Sequence, residues 1–340
     1  MDKIQMKFLL NSTTFYPAVG GLENVAMDIA LEFVNAGHEV KVVTLIPQQG
    51  ASEDFPFEIV RQPSFFKYLR LIRWADAALH FNVTTKGILP HFFLRTPLII
   101  SHQSPIKQTG KKKTKVWVAN KIPILNIGCS RYVAEQYENS ITIHNSYNHQ
   151  IFRNLMPAQD RKGELVYLGR LVSIKGVDTL LEALDQLKKE GLTPNLTIIG
   201  DGEDRAKLEM MSQTFGLHEQ VKFVGKKLGE ELVASLNQHQ IMVVPSKWNE
   251  AFGIVALEGI ACGLAVVASK GGGLIDAVGP CGITFPNGDA QALATAIRQV
   301  WNQPDKIAEF QANAPAHLKQ HERNVIAKKY LEVIEKALQK

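Results

Sequence analysis

The chain has 340 residues, 45% of them hydrophobic and 21% charged, enough to bury a sizeable core and long enough for two domains rather than one. A formal charge of +5 is mild at this size, so no nucleic-acid partner is expected, while small anions and anionic membrane faces stay open. The three cysteines (Cys129, Cys262, Cys281) have no C-x-x-C spacing, and neither a signal-type apolar run nor a bilayer-spanning stretch of ~20 apolar residues is present. The expectation is a reduced, cytoplasmic protein whose only membrane contact would be peripheral, on the inner face.

From the N-terminus, "MKFLL" is a short apolar run, Leu22, Val25, Ala26, Ile29 and Phe33 recur at helical spacing, and "AGHEVKVVTLI" turns into a second strand. This β-α-β opening predicts a parallel sheet covered by helices on both faces. Gly20 and Gly21 precede the helix, where free N–H groups can approach a phosphate without interference from a Cβ; a plain tight turn is the competing reading. "SFFKYLRLIRW", residues 64–74, interleaves Phe65, Phe66, Tyr68, Leu69, Ile72 and Trp74 with Lys67, Arg70 and Arg73, and "KQTGKKKTK" adds Lys111, Lys112 and Lys113. Such segments suit anionic headgroups, or a core helix with a solvated charged face. His80 in "ALHFN" and His102 in "LIISHQSP" each come at the end of an apolar run.

Periodicity fades in "NHQIFRNLMPAQDRKGE", which predicts a first domain over 1–155 and a second over 156–318. There "ELVYLG", "NLTIIG", "VKFVG", "QIMVVPS" and "LAVVAS" are five short apolar runs, each followed by a polar or Gly-rich turn. The terminal "ERNVIAKKYLEVIEKALQK" reads as an amphipathic helix, with 319–340 expected to pack back on the first domain. The predicted class is α/β, with two doubly wound Rossmann-like domains and a ligand cleft at the carboxyl ends of their sheets.

The loops narrow the ligand. "GDGEDR" starts like a dinucleotide fingerprint but has Arg205 where the third glycine should stand, and no Walker A sequence occurs, so hydride and P-loop phosphoryl transfer lose ground. In "LGRLVSIKG", Arg170 and Lys175 follow a strand directly and can neutralise a diphosphate without a metal. In "NEAFGIVALE" a helix starting at Gly253 or Ile254 offers its first N–H groups to an anion. Were residues 250–258 all helical, Glu250 and Glu258 would stand ~12 Å apart, too far for a close acid/base pair. That spacing suits an extended nucleotide-sugar, with hydroxyls at both ends and a diphosphate between them.

"EAFGIVALE" resembles the E-x7-E motif of retaining GT-B glycosyltransferases of family 4. "GRLVSIKG" is similar to that family's donor loop, and "FYPAVGGLENVAMDIALEFVNAGHEVKVVT" to its Gly-Gly loop and first helix. The resemblance implies that Glu258 binds the ribose, that Arg170 and Lys175 bind the diphosphate, and that Gly21, beside Gly20, approaches the phosphates. Glu250 and His102 would then lie near the transferred sugar, with the amides of Gly253 and Ile254 close by. No cofactor and no metal are implied, because the nucleotide-sugar is a substrate. The implied reaction moves a sugar from a nucleotide-sugar, UDP by family frequency, to a glycan or lipid-linked hydroxyl with retained configuration. A GDP-mannose donor, a nucleotide-sugar epimerase and a non-catalytic two-lobed sugar-binding protein remain as alternatives. Two departures stand out: "HNSYNH" keeps only Asn145 of the family's Asn-Gly-Val-Asp, and Trp248-Asn249 precedes Glu250.

Overall fold

The computed structural model describes residues 5–17, 20–48, 54–106 and 112–339; of the basic segment, residues 107–111, Lys111 included, lie outside them. By its internal contacts the chain divides into one unit made of 1–146 with 323–340 and another of 147–322.

The first unit holds a seven-stranded parallel sheet: β1 (Lys7–Ser12), β2 (Glu39–Thr44), β3 (Glu58–Arg61), β4 (Ala77–Phe81), β5 (Leu98–His102), β6 (Leu125–Gly128) and β7 (Ser140–Thr142), ordered β3-β2-β1-β4-β5-β6-β7. Its helices are α1 (Gly21–Asn35), α2 (Phe65–Trp74), α3 (Thr85–Ile88), α4 (Lys112–Lys121) and α5 (Arg131–Ala134). The five residues of β4 and the five of β5 are all buried, as a parallel strand covered on both faces requires. α1 turns Val25, Ala26, Ile29 and Phe33 inward, the apolar stripe read from the sequence. α2 is capped by Ser64, whose hydroxyl accepts from the Lys67 amide, and buries Tyr68, Leu71 and Ile72. It therefore has a core-facing side, while Phe65 and Phe66 at its start stay exposed.

The second unit holds a six-stranded parallel sheet: β8 (Gly163–Leu168), β9 (Leu196–Ile199), β10 (Val221–Gly225), β11 (His239–Val244), β12 (Ala265–Ser269) and β13 (Gly282–Phe285), ordered β10-β9-β8-β11-β12-β13. The five apolar runs read from the sequence are β8 to β12; β13 is an additional edge strand. Helices α6 (Val177–Lys189), α7 (Arg205–Thr214), α8 (Gly229–Asn237), α9 (Ile254–Ala261), α10 (Leu274–Val278), α11 (Ala290–Trp301) and α12 (Pro304–Lys319) belong to this unit, and α13 (Arg323–Leu338) returns to the first. The core runs between sheet and helices through Leu165, Ile198, Val243, Val267, Leu180 and Ile297.

In each sheet the strand order reverses direction at one point, between β1 and β4 and between β8 and β11. Open α/β sheets bind ligands outside the carboxyl ends of the strands flanking such a point.

Candidate functional site

The segments after β8 and β11 flank the second unit's switch point, and they carry Arg170, Lys175 and Glu250. After β8 the chain passes Gly169 and Arg170, forms a tight 3-10 turn at Ser173–Lys175, and enters α6 through Gly176. Gly176 has φ 72°, and a Cβ there would collide with the carbonyl oxygen of Pro245, so only glycine lets the two segments close on each other. The Lys247 amide then donates to the Ile174 carbonyl at 2.9 Å, and the Lys247 ammonium pairs with Asp178 in the first turn of α6 at 2.6 Å.

Lys175 points its ammonium at Glu250, Nζ to Oε1 at 2.6 Å. From the sequence these were two separate elements, a cation for the diphosphate and a carboxylate for the sugar; the fold makes them an ion pair. Glu250 lies before α9, in a bridge with Gly272, and the Gly273 amide donates to its carbonyl at 2.8 Å. The 250–258 stretch is thus a pinned loop that runs into a helix. Asn287 adds a staple, accepting from the Gly271 amide at 2.8 Å and donating to the Trp248 carbonyl at 3.3 Å.

Arg170 is exposed, and its guanidinium has no partner among the described residues, whereas its carbonyl accepts from the Tyr167 hydroxyl at 2.9 Å. Tyr167 is buried, which pushes its hydroxyl pKa up; the Glu250 charge adds to this and Arg170 opposes it. Both charged side chains therefore act on one hydroxyl. The glycines of "GDG" serve packing: a Cβ on Gly200 would strike the Gly169 carbonyl, and one on Gly202 the Leu171 carbonyl.

α9 begins at Ile254 behind Gly253, with no side chain capping its first amides, so those N–H groups are open to an acceptor. Glu258, in the helix's second turn, has no polar partner among the described residues, and burial pushes its carboxyl up to about 7.

Gly20, Gly21 and His102 belong to the first unit. Gly20 has extended backbone and Gly21 is the first residue of α1. His102 ends β5 and is buried, with its ring stacked on Tyr137 at 3.5 Å. Its Nε2 lies 2.8 Å from the Asn126 Oδ1. The amide nitrogen of Asn126 donates to the Ala119 and Glu138 carbonyls, so Oδ1 faces the ring and Nε2–H is the donor. Burial lowers the imidazole to about 4, so His102 is neutral at physiological pH. His80 is buried beside the Tyr68 hydroxyl, 3.3 Å from its Nε2. Desolvation, and then the nearby His91, hold it well below the ordinary histidine value.

Sequence reasoning missed Ser246, which donates to Glu250 Oε1 at 2.5 Å, and also Tyr167 and Asn287. Ser246 is four residues before Glu250, but only the loop's path brings the two together. Among the described residues there is no group of three or more His, Cys, Asp or Glu side chains placed to hold a metal ion, and no helix is long and apolar enough to cross a membrane.

The fold is that of the GT-B glycosyltransferases, consistent with two Rossmann-like domains. It is similar to the crystal structure of Anabaena Alr3699/HepE in complex with UDP, with TM-score 0.80 and 21% identity over 98% of this chain and 100% of that one. Residues 150–317, nearly the whole second unit, match the family described as glycosyl transferases group 1. The chain is 37% identical over 143 residues to a glycogen synthase of Mycobacterium tuberculosis, covering 42% of this chain and 34% of that protein. The chain is also 33% identical over 152 residues to a GDP-mannose-dependent alpha-(1-6)-phosphatidylinositol monomannoside mannosyltransferase of Mycolicibacterium smegmatis, 42% of this chain and 40% of that protein. The chain thus spans between a third and about two fifths of the length of these curated relatives.

Proposed function

We propose that the protein is a retaining, metal-independent glycosyltransferase of family 4 that moves a sugar from a nucleotide-sugar, UDP-linked in the first instance, to a hydroxyl of a glycan or lipid-linked acceptor. The observation that carries this reading is the Lys175–Glu250 pair at the β8/β11 switch point, with Arg170, whose guanidinium has no partner among the described residues, and the open start of α9 beside it. In this account Arg170, Lys175 and the amides of Gly253 and Ile254 take up the charge that builds on the diphosphate as the glycosidic bond loosens. Fixed positive groups aimed at developing charge are the largest contribution such a site can make. Glu258 accepts from the ribose hydroxyls, Glu250 positions the sugar, and the departing phosphate takes the acceptor's proton. Gly20 and Gly21 are assigned a phosphate contact and His102 a sugar contact, as the resemblance implies. The UDP named in the HepE structure supports the uridine base, and the mannosyltransferase relative keeps GDP-mannose as the second donor to try. The deciding experiment measures nucleoside diphosphate release from UDP-glucose, UDP-galactose, UDP-N-acetylglucosamine and GDP-mannose.

A peripheral membrane role belongs to the same proposal. Phe65 and Phe66 are 53% and 73% exposed at the start of α2, and Phe92 and Phe93 are 52% and 79% exposed, with Lys67, Arg70 and Arg73 on the same helix. Tyr68 of α2 reaches the Gly87 carbonyl and Thr96 reaches the Ile72 carbonyl, so the chain carrying Phe92 and Phe93 runs along α2. Exposed aromatics beside cations suit an anionic interface. Co-sedimentation with phosphatidylglycerol-containing vesicles is expected to fall in Phe65→Ser/Phe66→Ser; equal binding by both proteins contradicts this surface.

A further inference from the structure

Glu250 Oε1 accepts two bonds at once, from the Lys175 ammonium at 2.6 Å and from the Ser246 hydroxyl at 2.5 Å. Its second oxygen, Oε2, has no partner among the described residues. The two donors differ in kind. Ser246 is 1% exposed, just beyond the end of β11, and the backbone bond from Lys247 to Ile174 holds its segment. Lys175 is a flexible cation with its side chain 26% exposed, and on the reading above it also serves the donor's diphosphate. One ammonium cannot satisfy both partners equally, because a diphosphate carries more charge than a carboxylate and the attraction scales with that charge. A hydroxyl on a short, buried stem has no such competitor.

We infer that Ser246 is a positioning residue that holds Glu250 Oε1 when the donor diphosphate draws on Lys175, so that Oε2 keeps a fixed direction through the transfer. This rests on the glycosyltransferase reading and assigns Ser246 no contact with substrate. The hydrogen bond matters most once the donor is bound, so its loss falls on turnover rather than on nucleotide affinity.

The test uses the full chain with the donor that gives the fastest nucleoside diphosphate release. Ser246→Ala is expected to lower kcat by about 10- to 100-fold, the range for a hydrogen bond to a charged group, with donor KM and UDP affinity within about twofold of wild type. Ser246→Thr, which keeps the hydroxyl, is expected to recover most of the loss. In a Glu250→Gln background Ser246→Ala is expected to add little, since the two residues act as a unit. An unchanged kcat, an equal loss in both backgrounds, or a fall in UDP affinity as large as the fall in kcat would overturn the inference. A crystal structure with UDP gives a readout independent of turnover: the Ser246–Glu250 bond should persist while the Lys175–Glu250 distance grows, and the reverse pattern contradicts it. If the wild type releases nucleoside diphosphate from none of the four donors, the glycosyltransferase reading fails, and the crystal structure still decides what Ser246 holds.

Discussion

Burial raises Glu258 to about 7 from an ordinary 4.5, and burial is the only cause. A carboxyl raised in this way keeps a proton in the folded state that the unfolded chain has already released. Stability therefore falls as pH climbs from about 4.5 to 7 and changes little from this source above that. Glu258→Gln removes the penalty: its Tm should exceed that of the wild type at pH 8 and match it near pH 5, read by thermal unfolding at both values. An equal difference at both pH values contradicts the assignment. Glu258 and Arg170 were legible in the sequence because their places follow from local spacing, a helix start and a strand end. Ser246 and Tyr167 were not: their bonds to Glu250 and to the Arg170 carbonyl span only four and three residues, but they depend on loop paths that spacing alone does not display.

Among the elements, α13 shows how a pattern is visible while its partner is not. Its apolar face is plain in the sequence and buries Ile326, Ala327, Tyr330, Leu331 and Ile334. What the face packs on emerges only from the fold: Asp28 in the middle of α1 pairs with Arg323 at 2.9 Å and accepts from the Ser146 hydroxyl at 2.9 Å. Farther along, the Tyr330 hydroxyl lies 2.7 Å from Ser101 on β5. Burial pushes Asp28 up to about 6, with Arg323 as the main opposing influence. Arg323→Ala would leave that carboxyl buried without its countercharge, a loss of about 3 kcal/mol at neutral pH. Because the orphaned carboxyl is tolerated once protonated, the loss should shrink as pH falls below the raised pKa. Urea unfolding at pH 7.5 and pH 5 checks this; a variant as stable as wild type at pH 7.5 would show the pair contributes nothing.

For the molecule as a whole, alternating apolar runs and helical stripes were enough to predict two parallel α/β sheets. The strands the sequence reading did not single out include β3, β6, β7 and β13, each three or four residues long. Runs this short give periodicity little to register. The order of strands, and with it the two switch points, comes from long-range pairing that one sequence does not display. The switch point brings the cation-bearing segment after β8 beside the carboxylate-bearing segment after β11.

The central claim, that these segments bind and activate a nucleotide-sugar, is tested most directly by nucleoside diphosphate release from the four donors by wild type and Arg170→Ala. Arg170 is the cleanest probe, because its exposed guanidinium supports nothing else in the described fold. One donor should be turned over, and Arg170→Ala should lower kcat/KM for it by about 100-fold, the scale for removing one group that stabilises developing charge, with Tm unchanged. Release from no donor, or equal release by both proteins, would contradict the claim.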